Sequence, residues 1–424
     1  MGGLKVAAAA TEIQADDSMV IGGSINPWFA SKKEGELRAS VVIIEKEVKV
    51  VLISCDALAL QRDILDGVCG RIGKGLNISP ENVLIAATHT HHAPTTVSVH
   101  GYQRDERFCA NLKKSIISTV RAAEKKLEDS GEARMYFWLG NEATVGQNSR
   151  LLLKDGTIYW VGPREDALRP TGPFDPDLPV ISFRKANGNL EALVFNHSTH
   201  NIGTTSGSMR SPGFYGLASQ DLEKKLGGTV IFLPGSFGST HNLLLSADEM
   251  IIRIKDAIEG AFLESTLTDP SSITTVKREF EYRVRKFDEE SEEKAVSYYC
   301  NKRLKNPEPT IQVFRRMRSQ LSEHQGESRR SWLQVILLGD IALVGVPGEL
   351  FTELGIQIKR RSPFRHTYVV GLSNDYIGYI PDERAFDLGG YQVWTGFHSF
   401  VDRGTGESIV NQAVQMLHEL HPPS

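Results

Sequence analysis

Short apolar runs that each end in a cluster of chemically active residues constrain this chain more than any other feature. Val48–Cys55 leads into Asp56, Val83–Thr88 into His89-Thr90-His91-His92, and Ala192–Asn196 into His197-Ser198-Thr199-His200. Further on, Thr229–Leu233 leads into Pro234-Gly-Ser-Phe-Gly-Ser-Thr-His241, Ile341–Val346 into Pro347-Gly-Glu349, and Thr367–Leu372 into Ser373-Asn-Asp-Tyr376. Continuous runs of this length, rich in β-branched residues, read as strands covered on both faces. In α/β sheets, ligands gather just beyond the carboxyl ends of strands. Six loaded loops at six strand ends therefore predict one site.

Between the strands lie segments of helical spacing. Ala57–Ile72 places Leu60, Ile64, Val68 and Ile72 on one face, and Glu106–Leu127 does the same with Leu112, Ile116, Val120 and Ala123. Val41–Ile44 and Val48–Ser54 read as paired strands, and Gly339-Asp340 as a hairpin turn between Leu333–Leu338 and Ile341–Val346, so the sheets are expected to be mixed. The fold class is α/β, with mixed β-sheets and outer helices in one large domain over residues 1–424. A stretch at about 285–330, dense in Glu, Lys, Arg and Gln, reads as a helical excursion with a solvated surface in preference to a lid or an oligomer contact.

Composition narrows the class of partner. A net charge of −4 and a pI near 6.3 give no electrostatic reason to bind nucleic acid or an anionic membrane, which leaves a small molecule as the expected partner. The oligomeric state is not encoded in any pattern. The four cysteines lack CxxC spacing and carry no assigned role. No apolar run is long enough to span a bilayer and Ala7–Ala10 is too short for a secretory core, so the default expectation is cytoplasmic, without stable membrane association.

Imidazoles and carboxylates from separate strands can converge and leave one position open, as a catalytic zinc requires and a closed Cys-rich site does not allow. In His89-Thr90-His91 the two rings are two residues apart, so either can bind metal or one can hold substrate. Asp56 has two readings of equal weight: orienting a metal-bound histidine, or capping the Ala57 helix. The Thr204–Ser211 loop is either a polar pocket wall or a flexible turn.

These loops resemble the neutral ceramidases. The family's His-Thr-His loop with a following Pro is matched by Thr88–Pro94, and its Asn-x-Asn-Arg segment by a degenerate Gln147-Asn-Ser-Arg150. Its Asp-Pro strand entry corresponds to Asp175–Leu178, and its His-Pro-Thr loop to His197-Ser-Thr199. The Pro-Gly-Glu turn stands unchanged at Pro347–Glu349, and the tyrosine segment at Asn374–Tyr379 with Tyr391. The resemblance runs from about residue 5 to 420. It implies a layered αββα-type sandwich and one Zn2+ per chain, bound by His89, His197, Glu349 and Tyr379, with Tyr376 as the competitor for the last place. It also implies Tyr391 as donor to the oxyanion, and His91 and Arg150 lining the pocket.

One departure changes the expected chemistry. The family's glycine-rich loop carries a serine that attacks the amide; here Gly238-Ser-Thr-His241-Asn places His241 in that position, with Ser239 and Thr240 one or two residues away. The expected enzyme is a zinc-dependent hydrolase in which activated water replaces the serine and His241 or His91 moves the proton. The family's C-terminal sandwich domain has no counterpart before Ser424, so the expected substrate is a small polar amide or related acyl compound and not a long-chain ceramide. Two alternatives stand beside this: a glycoside hydrolase using Asp56 and Glu349 as a free carboxyl pair, and a non-catalytic relative that binds its ligand at an old hydrolase site.

Overall fold

Three pairs of parallel strands organise the protein, and they are the six strands whose ends are chemically loaded. The structure, a computed structural model, describes residues 3–76, 78–242 and 245–421. Lys49–Cys55 pairs in parallel with Val83–Ala87, Leu190–His197 with Thr229–Pro234, and Ile341–Gly345 with His366–Val370. Parallel neighbours end on the same edge, so each pair delivers two loops side by side.

Antiparallel strands complete each sheet. Lys5–Glu12 and Arg38–Glu45 extend the first pair into a four-stranded sheet. Asp177–Lys185, Ala133–Asn141 and the short Thr266–Leu267 extend the second into five strands. Ile273–Arg283 and Ser328–Leu338 extend the third into four. The expected Gly339-Asp340 hairpin joins two of these, with Gly339 at φ 63° in the left-handed region that favours glycine. The sheets are mixed, as read from the sequence.

Strand alternation then sorts side chains into layers. Inward-facing residues of all three sheets, among them Leu52, Leu84, Met135, Phe183, Leu233, Ile336 and Val370, share one core. The opposite faces are covered by helices. Arg62–Leu76 and Glu106–Glu128 lie on the first sheet, Gly213–Leu226 and Ala247–Glu264 on the second, and Thr352–Arg361 and Thr405–Leu420 on the third. The result is the layered helix–sheet–sheet–helix architecture. None of the described helices is long and apolar enough to cross a membrane.

Two expectations need correction. The helix read from Ala57 begins at Arg62, because Ala57–Leu60 is a buried non-helical segment whose apolar residues pack without helical geometry. Asp56 therefore caps no helix; it accepts the Arg38 backbone N–H at 2.8 Å and the Thr88 hydroxyl at 3.1 Å. The charged stretch contains two helices, Glu289–Arg303 and Glu308–Leu321, with an exposed outer face. Their inner face is not surface: Val296, Tyr299, Cys300, Ile311, Phe314 and Met317 form a separate core with Leu153 and Trp394.

Candidate metal centre

The loop after Val83–Ala87 turns sharply at His89, whose φ of 58° lies in a region that non-glycine residues rarely adopt. It then runs beside the loop from the second sheet: Thr90 bridges Asn201 in parallel, and the His91 N–H donates to Asn201 O at 3.3 Å. This pairing brings His89, His91 and His200 together, with one ring nitrogen of each within 4.8 Å of the others. The Pro-Gly-Glu turn closes the group from the third sheet, held by the pairing of Glu349–Leu350 with Tyr379–Ile380. Gly238 lies so close to this turn that an added Cβ would sit 2.1 Å from Glu349 O.

His89 Nδ1 is 2.8 Å from Leu58 O and His200 Nδ1 is 2.7 Å from Thr240 O, so each ring commits its N–H to a backbone carbonyl and turns a lone pair inward. Those two Nε2 atoms face Glu349 Oε2 at 3.4 and 3.3 Å. Glu349 Oε2 itself is buried without a hydrogen-bond donor, while its other oxygen accepts from the Tyr376 hydroxyl at 3.2 Å. Acceptors facing an acceptor in a buried site are costly, and a cation between them relieves all three. His91 Nε2, 3.1 Å from His89 Nε2, and Tyr379 Oη, 3.1 Å from His200 Nε2, border the same point.

Burial raises the Glu349 carboxyl, and positive charge on the neighbouring His89 and His200 sites lowers it below the usual carboxylate range. Burial lowers His200, and lowers His91 well below the ordinary imidazole value, with the neighbouring rings adding to the effect. Burial, with Glu349 nearby, pushes Tyr379 and Tyr391 well up. An adjacent dication would reverse this for Tyr379 and allow a phenolate ligand.

The residues expected at the site separate into three groups. His89, Glu349, Tyr379, His91 and His241 come together; the ring of His241 stacks on that of His200 at 5.4 Å, with its Nδ1 unpartnered. Burial pushes His241 down to about 3, so it is neutral. Tyr391 stands at the cavity wall with its hydroxyl 3.0 Å from His100 Nε2.

His197 and Arg150 are not at the site. The strand Leu190–His197 ends with His197 directed into the protein, where Nδ1 meets the Tyr215 hydroxyl at 2.6 Å and Nε2 meets Glu142 O at 3.0 Å. Both nitrogens are taken, and His200, three residues further along the same loop, occupies the place expected for His197. The signal was present in His197-Ser-Thr-His200, but strand direction alone does not say which histidine projects from the end. Arg150 is buried and donates to Gln392 Oε1 at 2.9 Å, Gly389 O at 2.7 Å and Ala385 O at 3.3 Å. It therefore braces the loop that carries Tyr391 instead of lining the pocket. Asp56 bonds to no metal-facing imidazole; backbone carbonyls of Leu58 and Thr240 take that part.

A cavity of about 500 Å³ opens over the group and is lined by His91, His241, Tyr379 and Tyr391 together with Trp28 and Trp160. Fold and site together define a layered α/β protein with a candidate metal centre at the meeting point of its three sheets. Among solved structures, neutral ceramidase from Pseudomonas aeruginosa superposes over 100% of this chain and 76% of its own, with a TM-score of 0.75 and 17% identity. A ceramidase complexed with C2 superposes over the same shares, with a TM-score of 0.74 and 16% identity. The fold is thus that of the neutral ceramidases. No protein-family model matches the sequence, and no curated protein matches it.

Proposed function

We propose that this protein is a zinc-dependent hydrolase of amides or related acyl bonds in small polar substrates. The observation that carries the reading is the buried Glu349 Oε2, without a donor and faced by the lone pairs of His89 and His200. Two imidazoles, a carboxylate and a phenol suit zinc, and the ceramidase fold supports acyl chemistry. His89, His200, Glu349 and Tyr379 would hold the ion, with His91 beside them. When bound, zinc supplies a Lewis acid that polarises the acyl carbonyl and lowers the pKa of water.

The chain's own residues do the rest. Neutral His241, which lines the cavity, accepts the proton of the attacking water and returns it to the leaving amine. Tyr391 keeps its proton and donates a hydrogen bond to the oxygen on which charge develops. His100 fixes the position of that hydroxyl. Arg150 holds the loop bearing it. The glycosidase alternative needs a second free carboxylate, and Asp56 is bound to Arg38 and Thr88 instead.

The test is hydrolysis of a panel of N-acyl amides and esters by the zinc-loaded protein. Activity that a chelator abolishes and zinc restores supports the reading. Failure to turn over any amide or ester, or turnover indifferent to chelation, contradicts it.

A further inference from the structure

The helical excursion reaches the cavity through one segment, residues 155–166. Its two ends are tied to the end of the Glu289–Arg303 helix: Asp155 pairs with Lys302 at 2.5 Å, and Asp166 with Arg303 at 2.6 Å. Gly162, at φ 96°, approaches so closely that an added Cβ would lie 2.6 Å from Arg303 O. Between these ties, the Tyr299 hydroxyl accepts the N–H of Trp160 at 2.7 Å and of Val161 at 3.2 Å, and donates to Val161 O at 3.0 Å. A single phenol thus makes three hydrogen bonds with two consecutive residues.

That clamp decides where the Trp160 indole lies. It stacks on the Tyr391 ring at 4.6 Å and 3°, and presents its edges to Phe314 and Trp394 at 6.0 and 5.6 Å. The far face of Tyr391 is covered by His398 at 4.7 Å. Trp160 therefore packs the proposed oxyanion donor and walls the cavity at once. Trp28 lines the same space, and among the described residues lining it there is no Lys, Arg, Asp or Glu. An ionic group held against the Trp28 and Trp160 wall, away from the candidate metal centre, would lose water without gaining a charged side-chain partner, and a volume of about 500 Å³ is that of a small-molecule site.

We propose that Trp160, positioned by Tyr299 of the helical excursion, is a specificity wall that restricts the site to compact, uncharged acyl compounds presenting a flat or ring-shaped face. This rests on the hydrolase reading for its chemistry, but not for its binding geometry. Aromatic rings recognise such faces by stacking. Tyr299 is a positioning residue: its hydroxyl acts through the backbone of Trp160 and Val161.

The experiment compares N-acetylglucosamine, its 6-phosphate and N-hexadecanoylglucosamine as substrates for wild type, Trp160→Ala and Tyr299→Phe, with zinc content measured on each protein. The expected result is a kcat/KM for the compact neutral compound at least about tenfold above the other two in wild type, falling to within about threefold in Trp160→Ala. Tyr299→Phe moves KM in the same direction with a smaller change in kcat, and all three proteins keep their zinc. Equal turnover of the three compounds by wild type, or a preference that Trp160→Ala leaves unchanged, overturns the wall. If zinc-loaded wild type turns over none of them, calorimetric binding of the same three compounds separates the two ideas. Binding of N-acetylglucosamine alone, lost in Trp160→Ala, sustains the wall without the hydrolysis; binding of none, or of all three alike, overturns it.

Discussion

Replacing His92 by glutamine should flatten the acid side of this protein's stability curve. The Gly203 N–H donates to His92 Nε2 at 2.9 Å, which requires a neutral ring with its proton on Nδ1. Burial pushes the group down from 6.5 to about 4. The folded state therefore disfavours the charged form: the contribution to stability is complete above about pH 6.5 and is lost as pH falls from there toward 4. At pH 5 the unfolded chain is almost fully protonated at this position and the folded chain is not. The difference is about 1.5 pH units, or about 2 kcal/mol at 1.36 kcal/mol per unit, an upper figure because the ring keeps some contact with solvent. Glutamine can accept the same N–H through its carbonyl and does not titrate. Urea unfolding of chelator-treated protein at pH 8 and pH 5 measures the effect. Other buried histidines, His100 at about 4 and His241 at about 3, give both proteins a common acid slope. The loss between the two pH values should be about 1–2 kcal/mol smaller in the variant. Equal losses to within about 0.5 kcal/mol would refute the argument that His92 is held neutral by its place in the fold.

Three further outcomes follow from the site. Tyr391→Phe removes the hydroxyl beside His100 and should lower kcat about 100-fold at unchanged zinc content, as loss of one oxyanion donor does; an unchanged kcat counts against that role. His241→Ala should cost about 100-fold in turnover, whereas full turnover would remove His241 as the proton carrier. Arg150→Met leaves Gln392 Oε1, Gly389 O and Ala385 O without their donor, and thermal unfolding should show a loss of about 3 kcal/mol. A variant of wild-type stability with only a raised KM would return Arg150 to the pocket lining.

Much of this was legible in residue order. Apolar runs fixed the strands because a strand covered on both faces cannot tolerate polar residues, and the loops at their ends were chemically conspicuous for the same reason. The pairing of those strands in parallel was not readable, since hydrogen-bonding direction leaves no mark on a buried run. His197 against His200 was undecidable for a local reason: which ring leaves a strand end depends on where pairing stops, here at His197 itself. The segment Ala57–Leu60 misled because burial, not helical geometry, set its apolar pattern. Arg150 misled because a guanidinium near an active centre can equally well bind the scaffold, and only the carbonyls of residues 385–389 decide it. The excursion's inner face was hidden among charges: Val296, Tyr299, Ile311 and Phe314 are too few in so polar a stretch to announce a core.

In the proposed metal site, His200 joins His89 and Glu349, and His197 takes no part. Elemental analysis of purified wild type, His89→Ala, His200→Ala, Glu349→Ala and His197→Asn, each dialysed against dilute zinc, tests it directly. The expected result is about one zinc per wild-type chain, retained in folded His197→Asn and lost in the other three. No zinc in wild type, or zinc lost from folded His197→Asn and kept by His200→Ala, would contradict it.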